Sequence, residues 1–75
     1  MKFAFVMVNT IPSQMEYVLE KIKEIDSVEE AYMLYGVYDI VAVIKVETNE
    51  ELKGIILGIR SVEHVLSTLS LMVVS

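Results

Sequence analysis

The chain offers few side chains for chemistry. It has no cysteine, so no disulfide framework and no thiolate metal site can form. His64 is the one histidine, with Glu63 the acid beside it. A single loop histidine without a partnered nucleophile reads as surface. No carboxylate cluster has ligand spacing, and neither a glycine-rich phosphate loop nor a nucleophile elbow is present. Ser61, Ser67, Thr68, Ser70 and Ser75 are hydroxyls with no base at hand. What remains is Tyr35-Gly36-Val37-Tyr38-Asp39, with Tyr32 just before it. The tyrosines suit either a small pocket with apolar walls and hydroxyl tips or a packed interface. Asp39 is open to two readings as well, a carboxylate for a cationic group or a cap on the hairpin backbone. Such residues point to binding rather than catalysis, with neither cofactor nor metal.

Elements of secondary structure must position that stretch. Lys2 to Asn9 is aromatic and β-branched and stops before Pro12, as a strand does. Ser13-x-x-Glu16 has the form of a capping box and opens a helix whose buried stripe is Met15, Val18, Leu19, Ile22 and Ile25. Val28 to Tyr35 and Ile40 to Val46 form two strands, joined by a tight turn at Gly36. Thr48-Asn49-Glu50-Glu51 repeats the capping box ahead of a helix with the stripe Leu52, Ile55, Ile56 and Ile59. Gly54 and Gly58 fall on its other side, where each costs about 1 kcal/mol relative to alanine. Ser67 to Val74 is the last strand. The order β-α-β-β-α-β predicts an α+β, ferredoxin-like fold over residues 1–75. Right-handed crossovers place both helices on one face of a four-stranded antiparallel sheet.

Composition adds a constraint. Hydrophobic residues make up 55% of the 75 positions, more than so small a domain can bury by itself. The first strand is apolar on both faces, Phe3/Phe5/Met7 and Ala4/Val6/Val8, and the third nearly so. The helices cover one face only, so a second copy packed sheet against sheet is expected on the other. A net charge of −5, with the basic residues scattered, opposes direct nucleic-acid binding. The apolar start is too short to span a membrane or to serve as a signal peptide, so a cytoplasmic protein is expected.

With the elements placed, the chain resembles the ligand-binding (RAM) domain of Lrp/AsnC, or feast/famine, transcription regulators. It looks most like the stand-alone form without a DNA-binding half. The resemblance covers essentially all 75 residues. Val8-Asn9-Thr10-Ile11-Pro12 is similar to the family's first strand ending at a proline, and Ile25 to Tyr32 to its Ile-Pro-x-Val-x-x-x-Tyr passage. Gly36-Val37-Tyr38-Asp39 matches the diagnostic Gly-x-Tyr-Asp, and Thr68-Leu69-Ser70 stands in place of Thr-x-Thr. Tyr35 replaces a small hydroxyl residue, Ser13 a glycine, and Glu63-His64 a Pro-Gly pair.

The resemblance implies dimers through the sheets, assembled into rings, with amino-acid effectors held in clefts between dimers. It carries the effector role to Tyr35, Gly36, Tyr38, Asp39, Thr68 and Ser70. Asp39 would accept from an α-ammonium group, and the backbone at Gly36 with the two hydroxyls would hold an α-carboxylate. It implies a link to transcription through a full-length Lrp-type regulator, by way of mixed oligomers. The rival readings are an ACT-like amino-acid sensor and a small dimeric ferredoxin-like enzyme, such as an acylphosphatase or a cofactor-free oxygenase.

Overall fold

The structure, a computed structural model, describes residues 2–74. Its elements are β1 (Lys2–Thr10), one turn of 3-10 helix (Pro12–Gln14), α1 (Met15–Lys23), β2 (Val28–Met33), β3 (Ile40–Val46), α2 (Asn49–Arg60) and β4 (Val65–Met72). Adjacent strands are antiparallel, in the order β2-β3-β1-β4. This is the ferredoxin-like α+β arrangement.

Period-two alternation decides what each strand buries. Ala4, Val6 and Val8 of β1 lie inside with Ile40, Ala42, Ile44 and Val46 of β3. They meet Val18 and Ile22 of α1 and Leu52 and Ile59 of α2, the predicted helix stripes. Truncating one of the buried isoleucines to alanine costs about 2–5 kcal/mol at such a site.

The other sheet face carries no helix. Phe5 stands between Val43 and Leu71, and Met7 between Val41 and Leu69. Phe5 remains 38% exposed and Leu71 49% exposed, so this apolar surface is open within the single chain.

Helix α2 starts as its sequence predicts. Thr48 is extended, its Oγ1 accepts from the Glu51 amide at 3.1 Å, and Glu51 Oε1 accepts from the Glu47 amide at 3.2 Å. The box at Ser13 does not form. Pro12 pre-sets a helical φ, so Ser13 lies inside the 3-10 turn closed by Gln14 N to Ile11 O at 2.8 Å. An N-cap needs an extended backbone, and α1 instead begins at Met15 behind Gln14 without a side-chain cap. Strand β2 stops at Met33 rather than Tyr35, because Leu34 N already turns to Asp39 O at 2.8 Å. Strand β4 runs two residues earlier than expected, from Val65, and a bulge at Leu66 shifts its register on β1 between Asn9 and Thr10.

Candidate functional site

The turn between β2 and β3 is a loop over residues 34–39. Gly36 adopts φ +157°, which a side chain rarely takes, although a Cβ there would meet nothing within 4 Å. Backbone conformation, not space, therefore favours glycine. Tyr35 and Val37 project into solvent at the tip, while Tyr38 and Asp39 are half-buried at its base.

Asp39 ties this loop to β1. Its amide donates to Val8 O at 3.0 Å, and its Oδ2 accepts from Thr10 N at 2.8 Å. Thr10 is buried, and β3, which begins at Ile40, has no main-chain carbonyl left to offer it. The carboxylate replaces that carbonyl. The backbone-capping role foreseen for Asp39 is thus realised on β1, across the sheet, and not on the hairpin. Oδ1 has no hydrogen-bond partner among the described residues.

Thr68 and Ser70 stand on β4, opposite Val8 and Val6. Val8 also pairs with Ile40, so Asp39 and Thr68 lie near one level of the sheet on either side of β1. Thr68 lines a groove of about 360 Å³ with Arg60, Val65, Leu66 and Ser67. None of the turn residues lines that groove. One chain therefore does not gather the six candidate residues into a single cleft.

This geometry agrees with comparison against known proteins. The model of the Lrp/AsnC ligand binding domain matches residues 3–75. The chain belongs to that family. Among solved structures, TTHA0845 from Thermus thermophilus is 33% identical with a TM-score of 0.95, covering 100% of this chain and 95% of that one. PHS023 from Pyrococcus horikoshii is 28% identical with a TM-score of 0.90, covering 100% and 92%. The feast or famine regulatory protein Rv3291c of M. tuberculosis, solved with L-methionine, is 25% identical with a TM-score of 0.85, covering 100% of this chain and 51% of that one. This Lrp/AsnC domain thus matches some relatives over nearly their full length and longer regulators over about half. No curated protein matches the sequence.

Sequence reasoning missed a second feature of the domain, on the helix face. A groove of about 730 Å³ runs between α1 and α2, lined by Tyr17, Lys21, Ile55, Gly54, Gly58 and Ser61 among others. Lys21 Nζ lies 5.6 Å from the Tyr17 ring centroid, and His64 meets the same ring edge-on at 5.6 Å. His64 takes φ 78°, and its carbonyl accepts from Ile11 N at 3.1 Å. Its place where the family often has glycine was the signal for this left-handed backbone. On the open sheet face, Tyr32 Oη donates to Glu30 Oε2 at 2.8 Å, and that bond raises the phenol pKa above its ordinary value. No group of three or more His, Cys, Asp or Glu suited to a metal occurs among the described residues. None of their helices is long and apolar enough to cross a membrane.

Proposed function

We propose that this Lrp/AsnC domain is a non-catalytic, cytoplasmic module that binds a free α-amino acid and works as an oligomer linked to transcriptional regulation. Family membership over residues 3–75 carries the reading, and a relative solved with L-methionine supports it. Asp39 supports it physically. One carboxylate oxygen is fixed by Thr10, which immobilises the group, and the other is free to accept from an ammonium. The effector carboxylate then goes to the Gly36 backbone and to the Thr68 and Ser70 hydroxyls, with Tyr35 and Tyr38 as walls. Because one chain leaves these residues on separate flanks of β1, the complete cleft needs a second chain.

Two copies pair through the open apolar face around Phe5, Val43 and Leu71, and the dimers join into a ring. Among the described residues the two α-helices are separated by a β-hairpin, so they form no helix-turn-helix. This domain acts on transcription together with a full-length Lrp-type regulator, in mixed oligomers. The test is a thermal-shift screen of the twenty common amino acids. Stabilisation by a subset, lost in Thr68→Val/Ser70→Ala, supports the reading. The absence of a shift with every amino acid would refute effector binding and leave a structural adaptor.

A further inference from the structure

Arg60 is the only arginine in the chain and closes the last turn of α2, where any cation suits the helix C-terminus. Among the described residues its guanidinium makes neither a hydrogen bond nor an ion pair. It lines the groove of about 360 Å³ beside β4, whose other lining residues, Val65, Leu66, Ser67 and Thr68, are uncharged. Elsewhere on the surface the cations that line grooves are opposed. Lys21 shares the inter-helix groove with Glu51 and Glu63, and Lys23 shares the groove along β2 with Glu29 and Glu30. In a chain of net charge −5, the Arg60 groove is a place where positive charge stands unopposed.

Register brings that cation to the effector residues. Thr68 and Ser70 pair with Val8 and Val6, which face the helices, so alternation sets both hydroxyl residues on the helix-covered side of the sheet. Arg60 directly follows Ile59, which is buried in the same core as Val6 and Val8. The bulge at Leu66 lies at the groove, and a bulge re-aims the side chains beside it. Arg60, Thr68 and Ser70 thus belong to one flank of one chain. They stay together whichever chain supplies Asp39 and Gly36.

We infer that Arg60 reads a second carboxylate on the effector, so that the amino acid this domain takes is acidic, aspartate or glutamate. The inference rests on the effector reading proposed above and adds the ligand class to it. In that reading the α-carboxylate goes to the Thr68 and Ser70 hydroxyls and the α-ammonium to Asp39, which leaves the effector side chain to meet the groove. A guanidinium holds a carboxylate through two parallel N–H···O bonds, and the pairing is stronger than with a neutral amide of the same shape. Discrimination between an acidic side chain and its amide therefore falls on Arg60. Val65 and Leu66 offer apolar contact to the methylene groups between the two carboxylates.

Calorimetric titration of the native protein with L-glutamate and L-aspartate, against L-glutamine, L-asparagine and L-methionine, tests it. Each acid is expected to bind about 10–100-fold more tightly than its amide, the difference a charge-assisted pair makes. Arg60→Gln is expected to bring that ratio down to about threefold or less. The wild-type ratio needs no variant, so the test does not depend on how Arg60→Gln folds. Succinate, with two carboxylates but no ammonium for Asp39, is expected to bind at least about tenfold more weakly than L-aspartate. An amide or methionine bound as tightly as the acids would overturn the inference and leave the effector reading standing. An acid preference that survives Arg60→Gln would also overturn it. Equal binding of succinate and aspartate, or the absence of binding by every amino acid, would remove the effector reading and the inference with it.

Discussion

Asp39→Ala is the perturbation whose outcome the structure specifies most fully. It removes the acceptor 2.8 Å from Thr10 N and leaves that amide on a residue only 2% exposed. Neither β3 nor the loop has another carbonyl in place, so the donor stays unsatisfied. A lost charge-assisted bond to a buried amide costs about 2 kcal/mol. In a domain this small, that lowers the melting temperature by roughly 8–16 °C. Asp39→Asn keeps a carbonyl oxygen in the same position without the charge, so it should lose about half as much. The assay is thermal unfolding of the three proteins at one concentration, with exchange of the Thr10 amide followed in parallel. Both variants should release that amide, alanine more than asparagine. If Asp39→Ala melts within about 2 °C of the wild type and Thr10 stays protected, the carboxylate does not hold β1.

Other consequences can be tested the same way. Gly54→Ala and Gly58→Ala should each stabilise the chain by about 0.8–1 kcal/mol in chemical denaturation, because an added Cβ at either position meets nothing within 4 Å. Destabilisation would mean that another molecule packs on the glycines. Thr48→Ala should cost about 1 kcal/mol by the same measurement, since it removes the N-cap acceptor of the Glu51 amide. At His64, whose φ is 78°, a change to valine should cost about 1–2 kcal/mol. His64→Gly should stay within about 0.5 kcal/mol of the wild type, relief of strain offsetting backbone entropy and the lost Tyr17 contact. Phe5→Lys should halve the sedimenting mass of a face-paired dimer and leave the helical signal in circular dichroism unchanged.

The fold was legible where one local signal decides an element. Ala4, Val6 and Val8 alternate with Phe3, Phe5 and Met7, so β1 declares both its period and its two apolar faces. Thr48 and Glu51 cap α2 because the chain before them is free to be extended. The same pattern misled at Ser13, where Pro12 had already bent the backbone into a 3-10 turn. The site was legible only in part. Gly36 and Asp39 mark the turn through their residue types, but the bond from Asp39 to Thr10 joins residues 29 positions apart. Its origin is the point where β3 begins, which no local pattern reveals. Thr68 and Ser70 were found by resemblance to a family motif. That they stand across β1 from the turn follows from strand order, a long-range property. The inter-helix groove went unseen because it depends on how α1 and α2 sit side by side.

The proposed effector site sets Asp39, Gly36 and the β4 hydroxyls around a free amino acid. Calorimetric titration of the native oligomer with L-methionine and the other common amino acids tests it directly. At least one should bind saturably, with one equivalent set of sites per chain or per chain pair, and Thr68→Val/Ser70→Ala should weaken that binding at least about tenfold, roughly 1.4 kcal/mol, at unchanged oligomeric mass. Saturable binding that the double variant leaves intact would place the effector elsewhere, and the absence of binding by any amino acid would contradict the account.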